Sequence, residues 1–163
     1  MVEDKEQTMN ELKHAGHRLV CFKLADEEYA FDIADMKEVI RLEQITNLPQ
    51  MPEFCLGVVN LRGQMLSIFD LRKKLGLNAR VFNKQTRVIV TAVDSGAIGF
   101  VVDEILDHIN LNESEIDPPP TVKSNIAREC IKGLGRLEGR MITILQLDKI
   151  HQEIIADIDK SNA

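Results

Sequence analysis

The chain states one pattern twice, and a duplicated pattern demands two equivalent folded units. Residues 18–42 match residues 87–111 at an offset of 69, pairing Leu19 with Val88, Val20 with Ile89, Phe31 with Phe100, Ile33 with Val102 and Ile40 with Ile109. The match resumes at an offset of 76, where Gly57-Val-Val-Asn-Leu-Arg-Gly-Gln-Met-Leu-Ser-Ile-Phe-Asp-Leu71 aligns with Gly133-Leu-Gly-Arg-Leu-Glu-Gly-Arg-Met-Ile-Thr-Ile-Leu-Gln-Leu147. The excess of seven residues suits a loop insertion at 121–128 of the second copy.

Each copy is built from short apolar runs separated by turn signals. Residues 18–24 read as a strand, Asp26-Glu27-Glu28 as a charged turn and 29–33 as the returning strand; 87–93, Asp94-Ser95-Gly96 and 98–102 repeat this. A third strand follows a brief turn in each copy, before Pro49 and Pro52 in the first and Pro118-Pro119-Pro120 in the second. A second hairpin turns at Leu61-Arg62-Gly63-Gln64, and its counterpart at Leu137-Glu138-Gly139-Arg140, where glycine supplies the positive φ of a tight turn. A helix ends each copy, with Asp70 capping the first and Gly76 stopping it. Asp148 is the expected cap of the second, which carries an apolar stripe at Ile150, Ile154 and Ile158.

Short strands with turns every 8 to 12 residues or so predict an all-β protein of two five-stranded antiparallel barrels. Residues 1–16 form a polar leader, about 17–77 the first lobe, about 86–150 the second, and 151–163 a C-terminal helix and tail. Strand exchange between the lobes is left open. Val20, Phe22, Ile33, Ile68, Ile89, Phe100, Val102 and Ile144 are expected to fill the barrel interiors.

Composition removes several functional classes. A net charge of −6 argues against a nucleic-acid binder, which needs clustered Lys and Arg. No run approaches the ~20 apolar residues of a membrane span, and the leader lacks the apolar core of a secretory signal, so no membrane insertion and a cytoplasmic location are expected. Cys21, Cys55 and Cys130 lack metal-ligand spacing and read as small apolar residues in a reducing compartment. Gly133-x-Gly-x-x-x-Gly139 runs into an apolar strand rather than the helix that would hold a pyrophosphate, and beyond the leader no phosphate loop, nucleophile setting or metal-binding His-x-x-x-His or Glu-x-x-His helix occurs. No cofactor, metal or catalysis is expected.

Equivalent turns carry opposite charges, Arg62 in one and Glu138 in the other. A binding role gives that asymmetry a purpose, because an arginine at an exposed turn suits bidentate pairing with a partner carboxylate. A small-ligand-binding barrel is the reading from another class, and it requires enclosed cavities where a protein-binding surface is compatible with filled barrels.

Tyr29-Ala30, Glu38-Val39, Gly57-Val-Val-Asn-Leu-Arg-Gly63, Asp70-Leu-Arg72 and Gly99-Phe-Val-Val-Asp103 together strongly resemble the CheW family of chemotaxis coupling proteins. The resemblance runs from about residue 18 to residue 150. It implies two SH3-like barrels packed side by side, in a non-catalytic adaptor that joins the cytoplasmic tip of a chemoreceptor (a methyl-accepting chemotaxis protein) to the regulatory domain of the histidine kinase CheA. A coupling protein of a chemotaxis-like pathway for pili or another output is the variant of this reading. The resemblance also implies a partner-binding site in the groove between the barrels, at Glu38, Val39, Gly57, Val58, Asn60, Leu61, Arg62 and Gly63, with Arg62 oriented by Glu38.

Overall fold

The structure is a computed structural model and describes residues 16–78, 81–93, 96–119 and 128–161. Most of the leader, the turn residues Asp94 and Ser95, and nearly all of the 121–128 insertion lie outside the described residues. Among the described residues, eleven strands build two sheets. In chain order they are β1 (His17–Leu24), β2 (Glu27–Asp32), β3 (Met36–Arg41), β4 (Cys55–Leu61), β5 (Gln64–Asp70), β6 (Arg87–Val93), β7 (Gly96–Val102), β8 (Glu104–Leu111), β9 (Ile116–Asp117), β10 (Ile131–Leu137) and β11 (Arg140–Leu145). Helix α1 (Leu71–Lys74) follows β5, and α2 (Leu147–Ser161) follows β11.

The sheets do not follow the copy boundary. One has the order β8-β1-β2-β11-β10-β9, the other β3-β6-β7-β5-β4, so the first hairpin of each copy sits among strands of the opposite copy. Two of the junctions between copies, β2 with β11 and β5 with β7, are parallel, an exception to the expected antiparallel pairing. Each sheet is closed by chain passing from one edge strand towards the other. In the five-stranded sheet, chain beyond β3 reaches β4 through the Thr46–Val58 bridge, whose two N–H···O bonds measure 2.8 and 2.9 Å. In the six-stranded sheet, chain beyond β8 turns through Glu113–Glu115 into β9, which pairs with β10. The sixth strand is therefore the counterpart of a single bridge, and the two barrels are equivalent.

Glycine makes both closures possible. The register of β4 against β5 shifts between Cys55 and Gly57, and that of β10 against β11 between Ile131 and Gly133. A Cβ on Gly57 would lie 2.1 Å from the Thr46 carbonyl oxygen, and Gly57 holds φ +136°, which L side chains rarely adopt. On Gly133 it would lie 2.7 Å from Ile116 Cγ2 and 2.9 Å from the Asp117 carbonyl oxygen.

Three apolar layers result. Leu19, Cys21, Ala30, Leu111, Ile142 and Ile144 fill one barrel; Val59, Leu66, Ile68, Val88, Val90 and Val101 fill the other. Between the sheets lies a third and larger layer containing Phe22, Tyr29, Phe31, Phe69, Ile89, Phe100 and Val102, together with Leu71 and Leu75 around α1 and Ile150 and Ile154 of α2. Rings run across it in sequence, Phe22 to Phe31 at 5.1 Å, Phe31 to Phe100 at 5.8 Å, Phe100 to Phe69 at 6.2 Å and Phe69 to Phe54 at 6.2 Å. Phe22, Ile89, Phe100 and Val102 thus pack between the barrels rather than inside them. Ile33 leaves the core, because the chain there is a 3-10 turn (Ile33–Asp35) capped by the Asp32 carboxylate, which accepts from Ala34 N at 2.9 Å.

Other local expectations shift for definable reasons. The first turn is Ala25-Asp26, since Leu24 pairs directly with Glu27; Glu27 and Glu28 belong to β2. Asp70 does cap α1, and Gly76 at φ 75° ends it with Leu77 N donating to Arg72 O at 2.8 Å. Asp148 instead lies within the first turn of α2, where its charge favours the positive helix end without serving as the cap. Arg72 is nearly buried and donates to Asp103 Oδ2 at 2.8 Å, an oxygen that also accepts from Ala25 N at 2.8 Å. That carboxylate ties α1 to the β1–β2 turn of the other sheet, joining Asp70-Leu-Arg72 to the end of Gly99-Phe-Val-Val-Asp103.

Candidate partner-binding site

The β4–β5 hairpin closes with Leu61 opposite Gln64, which leaves two residues for the turn. Arg62 and Gly63 both have positive φ, 49° and 85°, the combination that suits the right-handed twist of the strands in a primed turn. Asn60 secures it, its Oδ1 accepting from Gly63 N at 2.9 Å. The turn fixes where the Arg62 side chain leaves the backbone, and Glu38 fixes where it goes. Arg62 Nη2 donates to Glu38 Oε2 at 2.5 Å, with the arginine side chain 71% exposed and the glutamate 32%. Hydrogen bonding to Glu38, and its charge, hold the guanidinium pKa above its ordinary value.

The pair borders an open depression of about 430 Å³, lined by Lys37, Glu38, Arg62, Met65, Ala97 and Ile98 among others. Met65 is 65% exposed there. All lining residues belong to the five-stranded sheet or its turn, so this surface is not a groove between the barrels; the space between the sheets is occupied by the aromatic layer. A smaller opening of about 80 Å³ follows the seam between β3 and β4, where Asn60 and Leu61 face Ile40 to Glu43 above Ile68 and Val88. The Thr46–Val58 bridge and the Glu38–Arg62 pair both cross from one side of this seam to the other.

The expected site residues therefore divide. Glu38, Leu61 and Arg62 meet at the depression, with Asn60 and Gly63 forming its turn. Val39 is exposed and leaves β3 on the face opposite Glu38, as neighbours in a strand must. Val58 is half-buried at the bridge. Gly57 is buried beneath Thr46, at the point where the barrel closes.

The second barrel holds a related arrangement with its charges moved. Asp107 is the counterpart of Glu38 at the offset of 69, yet it does not face an arginine at the turn tip, where Glu138 stands at φ 49°. Arg140, the counterpart of Gln64, takes that part instead. Its guanidinium reaches Asp107 at 2.9 and 3.0 Å and Glu28 at 2.6 Å, so it is held on two sides. Hydrogen bonding from Arg140 pulls the Asp107 carboxyl below its usual range. Comparing turn tips alone overlooks this network; comparing Glu38 with Asp107 across the repeat would have pointed to it.

The three cysteines among the described residues are all held as neutral thiols. Burial raises all three thiols, Cys21 to about 12 and Cys130 to about 11, the first with Asp107 and the second with Glu153 adding to the effect. Among the described residues no group of three or more His, Cys, Asp and Glu is placed to hold a metal ion. No helix among them is long and apolar enough to cross a membrane.

Comparison with known proteins adds the family. Residues 18–154 match the CheW-like domain. The chain is 32% identical over 139 residues to the chemotaxis protein CheW of Rhizobium meliloti, covering 85% of this chain and 90% of that protein. It is 33% identical to the chemotaxis protein CheW of Helicobacter pylori over 149 residues, covering 91% of this chain and 84% of the relative. The crystal structure of the scaffolding protein TtCheW from Thermoanaerobacter tengcongensis superposes with a TM-score of 0.75 at 34% identity, covering 80% of this chain and 89% of that one. With its two closed barrels, their exchanged hairpins and a family match that spans nearly every described strand, this chain belongs to the CheW-like family.

Proposed function

We propose that this protein is a non-catalytic scaffold of a chemotaxis-type pathway, working in the cytoplasm to couple chemoreceptor tips to the regulatory domain of the histidine kinase CheA. The observation that carries the reading is the exposed Arg62, given a fixed direction by Glu38 at a turn already fixed by Asn60. An oriented guanidinium loses less freedom when it meets a partner carboxylate than a free one would, which is what an adaptor surface requires. The exposed Met65 beside it supplies apolar contact. Val39, Val58 and Leu61 lie on the neighbouring strand faces, and Gly57 keeps those strands in register.

The barrel interiors weigh against a small-ligand carrier. Such a carrier encloses roughly 300 to 1,000 Å³ with convergent polar groups, whereas Ile68 and Ile144 are buried among apolar neighbours and the opening beside Ile68 is only about 80 Å³. Size-exclusion chromatography of the chain mixed with a chemoreceptor cytoplasmic fragment and the CheA regulatory domain tests the proposal. A complex containing all three supports coupling; failure of the chain to bind either partner contradicts it.

A further inference from the structure

A second charged surface lies at the far end of β3 from the depression beside Arg62. Arg41 and Arg87 are direct cross-strand partners in the β3–β6 pairing. Like charges placed opposite each other weaken a sheet, and among the described residues no carboxylate pairs with either arginine. Among the described residues, Arg41, Lys84 and Arg87 have no ion-pair partner, in a chain that carries 26 Asp and Glu. The three cations line an open depression of about 550 Å³ together with Leu42 and Phe82, and Phe82 is 42% exposed.

The surface is held in shape. Arg87 Nη1 donates to the carbonyl oxygens of Lys84 and Thr86, both at 2.8 Å, which fixes the guanidinium plane and leaves its other N–H groups free. Thr86 is buried, and its hydroxyl accepts from Asn83 N at 2.9 Å, so the backbone that carries Phe82 and Lys84 is anchored to the start of β6. A fixed guanidinium fork beside an exposed aromatic ring fits a carboxylate with an apolar neighbour.

We propose that Arg41, Phe82, Lys84 and Arg87 form a docking surface for an acidic, partly apolar segment of a protein partner. The net charge of −6 selects that occupant. An extended anionic surface, whether membrane or nucleic acid, would feel the repulsion of the whole chain, but a short peptide segment feels mainly the local cations within a Debye length of about 8 to 10 Å.

The test is fluorescence anisotropy of the full chain with a fluorescein-labelled peptide of alternating Glu and Leu. A matched peptide with Gln replacing Glu, and vesicles containing phosphatidylserine, complete the comparison. The acidic peptide should bind, at least tenfold more tightly than the Gln peptide. Arg87→Gln and Arg41→Gln should each weaken it by tenfold or more, while Arg18→Gln, an exposed cation on the other sheet, should leave binding unchanged. Arg41→Gln should also raise the thermal midpoint, by about 1 to 4 °C, through relief of the like-charge pair. Absence of acidic-peptide binding, equal binding of the Gln peptide, insensitivity to both variants, or binding to vesicles instead of peptide would each overturn the proposal, as would a lowered midpoint for Arg41→Gln.

Discussion

Arg62 and Glu138 both hold φ near 49°, a backbone region that L side chains enter at a cost. The two-residue turn imposes this conformation at its first position in either barrel, so turn geometry accounts for the backbone and leaves the choice of side chain to function. That glycine follows in each turn was legible in the sequence; that the residue before it shares the strain was not, because nothing in an Arg or Glu signals positive φ. The cysteines were legible in kind: Cys21 and Cys130 are buried and Cys55 partly so, all as free thiols. With Cys21 near 12 and Cys130 near 11, almost no thiolate exists at neutral pH. Iodoacetamide at pH 8 should therefore label both residues in native protein at least tenfold more slowly than in denaturant. Rapid native labelling of Cys21, read by peptide mass spectrometry, would refute its packed position.

Strand closure depends on single small residues. Gly57 and Gly133 sit at equivalent register shifts where closing chain crosses the barrel, and a methyl group on Gly57 would collide with the Thr46 backbone, which cannot swing away, as well as with Ile45 Cγ2. Gly57→Ala should cost about 2 kcal/mol or more through strained φ and a displaced bridge, whereas Gly63→Ala, with nothing within 4 Å of the added carbon, carries only the conformational term. Ile68→Ala and Ile144→Ala should each cost ~2 to 5 kcal/mol through lost burial and a residual cavity. Urea unfolding of the four variants checks these values, and an unchanged midpoint for Ile68→Ala would contradict the filled barrel. The second hairpin of each copy was readable because glycine marks its turn at Gly63 and Gly139, whereas the β1–β2 hairpin, which turns at Ala25-Asp26 without glycine, was readable from its charged break between apolar runs. The aromatic layer was not, since β1 is buried on both faces and an unbroken run such as Leu19 to Phe22 gives no clue to which face meets which core. Asp148 misled for a similar reason: an acidic residue suits the cap and the first turn alike.

Across the whole molecule, each barrel needs strands from both copies, so neither copy can close a sheet alone. The repeat offset revealed two equivalent folds but could not tell pairing within a copy from pairing between copies, because equivalent hairpins fit either sheet. One cooperative unfolding transition should follow, with coincident far-UV and near-UV signals, and a fragment ending at residue 78 should not fold. Two separated transitions would contradict the exchange. The aromatic layer and the Arg72–Asp103 tie join the barrels, and the proposed scaffolding role assigns partner binding to the Arg62 face, which these joints leave open. The decisive measurement is titration of wild type, Arg62→Glu and Glu138→Ala against a chemoreceptor cytoplasmic fragment and against the kinase regulatory domain, alongside thermal melts. Arg62→Glu should keep a near-native melting curve and lose about thirtyfold or more in affinity for at least one partner, the scale of an interface hot spot, while Glu138→Ala changes little. Wild-type affinity of Arg62→Glu for both partners would contradict the account and return Arg62 to an ordinary solvated turn.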